Sequence, residues 1–488
     1  MRETWWTPVA IAAVLSMGAC TGPRATLKAA ARAMGANDLR SIEYSGSGTT
    51  YGYQQSGTPG GPWPRFDTRT YIVGIDYTKP AMRVEQTRSQ GEHPPAGGAG
   101  QPMAGETRQI QLVNGRHAWN QVGVNATPAM GAVSERLRQL WKTPHGIVKA
   151  ALANPATEVN GKEFTFEIEG EKVTATLNSD NLVERVTTVV DSPVLGDTPI
   201  VITYSDYVDR GGVKFPSHIV ETTDEFPTLD IRITDVTPNA GLALDVPANV
   251  QQAQAPPPPD PARLPTVQAE KIAEGVWYLD ASNYHSIAVE FKDHIVMFEA
   301  PISEQRTIAI HEWVRKTIPD KPINYVVNTH HHFDHSGGLR AYVAEGIPII
   351  THEGNKAYYQ KVWARPRTIN PDRLARSPKE AVFETMTDRK VLTDGTRRLE
   401  LHLVEGNGHT PYVILGYLPK ERIVMYGDMY NPLPGDDPRD LARTNEFAIN
   451  LHENMEKLNP KPVTLAPIHG RVVPYTNLKK AIGAIPLT

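Results

Sequence analysis

Residues 329–338 read THHHFDHSGG, and four of these side chains are of the kinds that bind metal ions. His330, His332 and Asp334 alternate along the chain, so in an extended segment they project to the same side. His335 follows directly, where the chain is expected to turn into a helix. Four such ligands are more than one tetrahedral zinc can use while keeping an open position. The spacing therefore predicts two metals, the first held by His330 and His332 and the second by Asp334 and His335.

A short strand-like segment precedes this run. Residues 323–328, INYVVN, are rich in β-branched residues and come after the strand breaker Pro322. Open α/β sheets place their sites at the carboxyl ends of strands, as this order does. A strand that leads into H-x-H-x-D-H resembles the signature of the metallo-β-lactamase superfamily of metallohydrolases. His331 lies between two ligands and is expected to face away from the metals.

Three later segments resemble the remaining ligand loops of this superfamily, in the family's order. The segment GNGHTP is similar to its G-H-[ST]-P loop, and the resemblance implies His409 as the third ligand of the first metal. The segment VMYGD looks like the G-D element at a strand end, which implies that Asp428 bridges both metals. The segment PIHG is similar to the last ligand loop and implies that His469 binds the second metal.

These residue types define the expected chemistry. Imidazoles and carboxylates suit two zinc ions, although similar ligand sets also hold iron or manganese. Two metals can share a hydroxide, and metal binding lowers the pKa of water to about 7. Asp334 is expected to orient that hydroxide as well as bind metal, and it is therefore the candidate catalytic residue. The sequence thus predicts a metal-dependent hydrolase that acts on an ester, thioester, lactone or related bond of a small-molecule substrate.

Other activities stay open at this point. An iron-dependent sulfur dioxygenase of the same fold would use many of the same ligands. A β-lactamase of the all-His/Asp ligand type would also keep them, but such enzymes usually lack a bridging aspartate, so Asp428 favours the broader group of hydrolases. A lipid carrier with a merely structural metal domain is a further alternative, and the open ligand set argues against it.

Two residues outside the ligand motifs also have an expected role. His285 follows the first predicted strand of this region, where members of the family often line the mouth of the substrate site, so it is a candidate substrate-binding residue. Glu299 occupies the place where the family usually has an aspartate that supports the metal ligands. The longer side chain of Glu299 is expected to change the local geometry and not the metal site itself.

The amino terminus resembles a bacterial lipoprotein signal. Arg2 is followed by an apolar stretch at 8–17 and by Gly-Ala before Cys20, the single cysteine of the chain. The stretch is too short to span a membrane. Residues 1–20 are therefore predicted to be a signal peptide with Cys20 lipidated; an ordinary cleaved signal is the alternative. Under both interpretations the protein is exported. The lipid anchor would hold it to the outer membrane as a periplasmic lipoprotein.

Composition and charge indicate which partners and which domain boundaries to expect. The 488 residues carry a net charge of −4 with the two signs mixed, so no nucleic acid is expected as a partner. Residues 251–262 are rich in proline and are predicted to be a semi-rigid linker. This linker separates a domain at 21–250 from a domain at 263–488. Because residues 21–250 show no ligand set, residues 263–488 are expected to turn over a small substrate alone.

The two domains are predicted to differ in architecture. Residues 21–250 begin with a helix and continue in alternating strand-like runs, which indicates an antiparallel sheet. The segment 204–216 resembles a hairpin of outer-membrane lipoprotein-carrier-like domains, which are curved half-barrels, and this implies an apolar ligand such as an acyl chain. Residues 92–106, rich in Gly and Pro, are predicted to be a long mobile loop.

The resemblance implies an αββα sandwich for residues 263–488, so the predicted fold class is α+β. Residues 361–390 carry many charges and few periodic apolar residues. Because inserts at this position often overhang the metals in the family, residues 361–390 are interpreted as a lid that selects the substrate.

Overall fold

The computed structural model describes residues 23–255, 263–432 and 445–486. The predicted signal peptide, with Cys20, lies outside the described residues, as do positions 256–262 of the predicted linker. Within the described ranges, no helix is both long and apolar enough to cross a bilayer.

The N-terminal region is built on one sheet of 13 strands. Alternation of buried and exposed side chains is clear in strands such as Glu163–Ile168, where Phe164, Phe166 and Ile168 face the core. The spatial order is β6-β5-β4-β3-β2-β1-β13-β12-β11-β10-β9-β8-β7, with antiparallel neighbours throughout. The strands are β1 (Ser41–Tyr51), β2 (Arg65–Asp76), β3 (Ala81–Gln90), β4 (Thr107–Asn114), β5 (His117–Val122), β6 (Asn125–Pro128), β7 (Glu158–Asn160), β8 (Glu163–Ile168), β9 (Glu171–Leu177), β10 (Val183–Ser192), β11 (Gly196–Arg210), β12 (Val213–Thr223) and β13 (Phe226–Pro238).

Helices contribute to the apolar core of this sheet. The helices are α1 (Pro23–Ala33), α2 (Val133–Trp141), which follows a 3₁₀ turn at Met130–Ala132, α3 (Pro144–Ala153) and the short α4 (Ala248–Gln251). The ring of His145 stacks on Phe215 with centroids 5.8 Å apart, and its Nε2 donates to Met34 O at 3.1 Å. Side chains of these helices pack into the apolar core of the sheet. The apolar ligand suggested for this domain stays a prediction.

The C-terminal region contains two sheets that face each other. The first has the order β14-β15-β16-β17-β18-β19-β20 and is antiparallel as far as β17 and parallel from there on. Its strands are β14 (Gln268–Ala273), β15 (Val276–Ala281), β16 (Tyr284–Glu290), β17 (Ile295–Phe298), β18 (Ile323–Val327), β19 (Ile349–His352) and β20 (Phe383–Met386). The second runs from β21 to β26 in chain order: β21 (Arg389–Thr393), β22 (Arg398–Leu403), β23 (Ile414–Leu418), β24 (Ile423–Tyr426), β25 (Thr464–Pro467) and β26 (Val473–Pro474).

Helices cover both outer faces, so the predicted αββα sandwich and the α+β class are confirmed. Phe298 of the first sheet and Ile414 of the second share one buried core between the sheets. The helices are α5 (Glu304–Thr317), α6 (Phe333–Ser336), α7 (Leu339–Glu345), α8 (Glu353–Trp363), α9 (Arg373–Arg376), α10 (Glu446–Met455) and α11 (Tyr475–Ala481). Ser303 caps α5, since its side chain accepts a hydrogen bond from Arg306 N.

The charged segment 361–390 lies against the N-terminal domain instead of over the metal-binding residues. Arg365 Nη1 lies 2.8 Å from Asp224 Oδ2, and Asp197 accepts a hydrogen bond from Thr368 N at 2.8 Å. The Arg367 guanidinium donates to Pro193 O. Arg365 and Arg367 of this segment therefore join the domains, and its interpretation as a lid is not supported by this placement.

Candidate metal centre

The seven predicted ligands lie close together, at the carboxyl ends of strands from both sheets of the C-terminal region. β18 leads into the loop with His330, β22 is followed by His409, β24 ends shortly before Asp428, and β25 ends shortly before His469. Asn328 secures the first loop: its Nδ2 donates to His330 O at 2.9 Å, and its Oδ1 accepts from Tyr359 at 2.6 Å. The strands thus fix where each ligand loop begins, and buried amide contacts fix its course.

His330, His332, His409 and Asp428 form the first group. His330 Nε2 lies 3.0 Å from His332 Nδ1 and 3.1 Å from His409 Nε2. Asp428 Oδ2 lies 2.8 Å from His409 Nε2 and 3.3 Å from His330 Nε2. Four electron-pair donors therefore converge on one point, as a divalent cation requires.

Asp334, His335, His469 and, again, Asp428 form the second group. His469 Nε2 lies 3.0 Å from His335 Nε2 and 3.0 Å from Asp428 Oδ1. His335 Nε2 lies 3.2 Å from Asp428 Oδ2, and Asp334 Oδ2 lies 3.4 Å from His469 Nε2. The ligands predicted for each metal thus lie together in one group, with Asp428 in both groups, and their binding of two metals stays a prediction.

The residues present fit divalent metal ions. Asp428 Oδ2 is buried and lies within 3.3 Å of three ring nitrogens, those of His409, His330 and His335. The facing ring nitrogens of His330, His332 and His409 lie too close together for protons alone to pair all of them. A cation would bind both the buried carboxylate oxygen and the facing nitrogens.

His330 and His332 of the first group are held in the neutral form that binds metal. Burial, together with the neighbouring imidazoles of His335 and His332, lowers the pKa of His330 well below its ordinary value. Burial and the imidazole of His409 lower the pKa of His332 to about 3. At neutral pH these rings therefore have a free electron pair for a cation.

The second group binds protons where a cation would bind. Burial alone would lower the pKa of His469, but Asp428 and Asp334 outweigh it and raise the pKa to about 9. The pKa of His335 is raised well above its ordinary value in the same way, against burial and mainly by Asp428. Burial would raise the pKa of Asp428, but His335 and His469 hold it well below its ordinary range. A cation in this group therefore displaces protons.

Glu299 supports the ligands despite its extra methylene group. Its Oε2 accepts from His335 Nδ1 at 2.5 Å, and its Oε1 accepts from Thr329 N at 2.5 Å. Thr329 Oγ1 in turn lies 2.9 Å from His330 Nδ1. The backbone of Glu299 has a φ of 70°, a left-handed conformation that is rare for a residue with a side chain. This conformation and the longer side chain together bring the carboxylate to both ligand positions.

The structure places His285 behind a ligand loop. Its Nδ1 lies 3.0 Å from Ile468 O, and its ring stacks on Tyr278 at 4.0 Å. The neighbouring Tyr284 meets the ring of His469 edge-on at 5.2 Å. His285 therefore positions the loop that carries His469, and its contact with a substrate stays a prediction.

Sequence reasoning missed the contribution of the N-terminal domain. Gln55 Nε2 donates to Asp334 Oδ1 at 2.8 Å, and His332 Nε2 donates to Ser56 O at 2.8 Å. His331 points away from both ligand groups, as expected, and its Nε2 lies 3.1 Å from Ser56 Oγ. No spacing or motif in the sequence around Gln55 indicates these contacts, because they arise only when the two domains come together.

An open cavity of about 780 Å³ adjoins both ligand groups. Asp334, His409, Asp428 and His469 form its polar floor. Its walls come from both domains and combine aromatic, amide and small residues: Tyr53, Gln55, 98–102, Phe333, 429–431, Asn445 and Phe447. A molecule bound in this cavity beside the two ligand groups would therefore contact both domains.

Comparison with known proteins identifies the C-terminal region. Residues 283–462 match the family model described as Metallo-beta-lactamase superfamily, and His469 is the single predicted ligand beyond the match. Similar solved structures include the metallo-β-lactamase from Pontibacter korlensis (20% identity, 45% of this chain and 98% of that chain, TM-score 0.34). Others are FIM-1 from Pseudomonas aeruginosa in its mono-zinc form (20%, 45% and 97%, 0.35) and the metallo-β-lactamase from Hirschia baltica (18%, 45% and 97%, 0.35). No curated protein matches the chain.

Proposed function

Since residues 283–462 belong to the metallo-β-lactamase superfamily, we propose that this protein is a dinuclear metal-dependent hydrolase. The observation that carries the proposal is the position of Asp428, whose two carboxylate oxygens reach both ligand groups. His330, His332 and His409 would hold the first metal, and the remaining ligands would hold the second. Zinc suits this ligand set best, with iron or manganese as the alternatives.

The bound metals would supply Lewis acidity and a water molecule that is easily deprotonated. Asp334 is the residue of the chain that would hold and orient this nucleophile. Burial would raise the pKa of Asp334, but His335 and the hydrogen bond from His469 lower it to about 2. Its carboxylate is therefore ionised at neutral pH and can accept a hydrogen bond that orients the attacking water.

The cavity suits the acyl part of an organic ester, thioester or lactone. Tyr53, Phe333 and Phe447 offer aromatic surface, while Asn431 and Asn445 offer amide groups that can bind a carbonyl oxygen. Such walls hold a small molecule with both apolar and polar parts. The substrate would thus be placed over Asp334 with its apolar part against the aromatic side chains.

Metal analysis combined with a substrate panel tests this proposal. The purified full chain should retain two metal equivalents and hydrolyse at least one member of an ester, thioester, lactone and β-lactam panel. The Asp428→Asn variant should lose both properties, while Asp388→Asn, an exposed aspartate of the same domain, should keep them. Retention of iron with consumption of oxygen and a persulfide would favour the dioxygenase alternative. A chain that retains no metal after metal-replete expression would refute the proposal.

We further propose that the protein is exported and tethered by a lipid on Cys20. The apolar stretch at 8–17 and the small residues before Cys20 support this location. Two or more acyl chains give firm anchoring, which a single chain does not. Fractionation of cells that express each form should therefore find the parent in the membrane fraction and the Cys20→Ser variant in the soluble fraction. Equal release of both forms into the soluble periplasm would reject the anchor and leave a secreted hydrolase.

A further inference from the structure

We propose that the N-terminal domain completes the metal centre, with Gln55 and Ser56 as positioning residues for Asp334 and His332. The inference rests on the proposed function only for its activity measurement, because metal affinity tests it independently. It replaces the expectation that residues 263–488 act alone.

The Ser56 carbonyl fixes the tautomer of His332. This imidazole is fully buried, and its Nδ1 faces the first ligand group while its Nε2 lies 2.8 Å from Ser56 O. A carbonyl oxygen only accepts hydrogen bonds, so Nε2 must carry the proton and Nδ1 keeps its electron pair for a cation. Partners of this kind orient metal ligands and raise their basicity.

Gln55 holds Asp334 from the same side. Its Oε1 accepts a hydrogen bond from Ala99 N at 3.1 Å, which leaves the amide NH₂ to face Asp334 Oδ1 at 2.8 Å. The amide orientation therefore follows from the backbone contact. Gln55 is only 8% exposed, so its bond to the carboxylate is protected from water. Asp334 Oδ2 then points towards His469, as metal binding requires.

A glycine in the neighbouring loop makes this arrangement sterically specific. A Cβ on Gly98 would lie 1.8 Å from Gln55 Oε1 and 3.2 Å from His332 Cε1. The same loop contacts a second ligand loop, because Gly97 N donates to Gly408 O at 3.1 Å, next to His409. Two segments of the N-terminal domain therefore touch the loops of three metal-binding residues.

Contacts elsewhere hold the domains in this register. Arg365 Nη1 and Asp224 Oδ2, both largely buried, form an ion pair between the domains at 2.8 Å. Asp197 accepts hydrogen bonds from two successive backbone N–H groups, those of Thr368 and Ile369. The segment 361–390 thus fixes the N-terminal domain, and with it Gln55, relative to Asp334.

Cobalt(II) titration of the full-length apoprotein, followed by visible absorption, tests the inference. The Gln55→Leu variant should bind the metal of the Asp334 group about 10- to 100-fold more weakly, as expected when a ligand loses its supporting hydrogen bond. The Gly98→Ala variant should show the same weakening, since its Cβ displaces the Gln55 amide. Gln54→Leu is the matched control: Gln54 is also buried, but its Nε2 bonds to Ser192 Oγ within the N-terminal domain.

The kinetic measurement is made on the same four proteins with the best substrate of the panel. At saturating metal, Gln55→Leu and Gly98→Ala should lower kcat more than they raise KM, while Gln54→Leu keeps the parental values. Parental metal affinity in both folded variants would overturn the inference, whether or not any substrate is hydrolysed. A chain that binds cobalt as described but hydrolyses nothing would contradict the proposed function and leave the positioning role supported.

Discussion

Replacement of Glu299 with glutamine should weaken the second metal site without unfolding the domain. The Glu299 carboxylate is fully buried and accepts from both His335 Nδ1 and Thr329 N. Glutamine keeps one oxygen, which can serve one of these donors, but its NH₂ group would then face the other donor. The variant therefore loses one hydrogen bond to a charged group.

The size of the effect follows from that single lost bond. A hydrogen bond to a charged group contributes about 1.5–3 kcal/mol. At about 1.4 kcal/mol for each factor of ten, the affinity of the metal held by His335 should fall by about 10- to 140-fold. The metal affinity of the first site should change little, because the hydrogen bonds of the Glu299 carboxylate go to His335 and Thr329 and not to His332 or His409. Glu299→Asp keeps the charge and should recover part of the loss.

Zinc competition with a chromogenic chelator measures both sites in one titration. The control is Glu380→Gln, which changes an exposed glutamate of the same domain and should give the parental curve. Circular dichroism establishes that each variant is folded. Equal second-site affinity in Glu299→Gln and the parent would show that this carboxylate does not support His335.

Three further outcomes are expected. Asp428→Ala should bind at most one metal and should lose at least about 100-fold in the rate of hydrolysis, because the loss of a residue that merely supports a metal ligand already costs about 10- to 100-fold in activity. Elemental analysis that finds two metals in this variant would contradict the bridging position of Asp428. Metal affinity should rise at least about tenfold per pH unit from pH 6.5 to 8, because His469, whose pKa is raised to about 9, must release its proton; an affinity independent of pH would be the opposite result. Burial lowers the pKa of His145 to about 4 in the folded protein, whereas its ordinary value is about 6.5. Below pH 6.5 the unfolded chain therefore binds more protons at this residue, and the free energy of unfolding falls as the pH falls towards 4. Between pH 7.5 and 5 the protonation of His145 should lower the free energy of unfolding of the parent by about 2 kcal/mol and should contribute nothing in His145→Gln, as measured by urea unfolding. Identical losses in both proteins would show that His145 is not the responsible group.

The metal ligands could be predicted because local sequence determines how they are presented. Alternation predicts that His330, His332 and Asp334 project to one side of an extended segment, and β18 indeed precedes them. Asp334 lies instead in α6, and it joins His335 and His469 in the second group. The sandwich fold followed from the family resemblance and is confirmed. The Ser303 cap likewise marks the start of α5 in the sequence itself.

The contacts between domains could not be predicted in this way. Gln55 and Asp334 are far apart in the chain, and neither periodicity nor a motif links them. Residues 92–106 were predicted to be a mobile loop from their Gly and Pro content, yet Gly98 packs against Gln55 and His332. Residues 361–390 were interpreted as a lid because charged, aperiodic segments look alike whether they face a substrate or a second domain.

The spread of the site along the chain has a consequence for how the protein matures. Residues 55 and 56 precede His469 by more than 400 residues, so they leave the ribosome well before it. Domains generally fold in the order in which they are made, so the N-terminal contacts wait for ligands that arrive much later. Until His469 is in place, the carboxylate of Asp428 lacks the imidazole that faces its Oδ1. Metal loading therefore follows the folding of both domains, and a chain interrupted between the domains would present Gln55 and Ser56 without the ligands that they position.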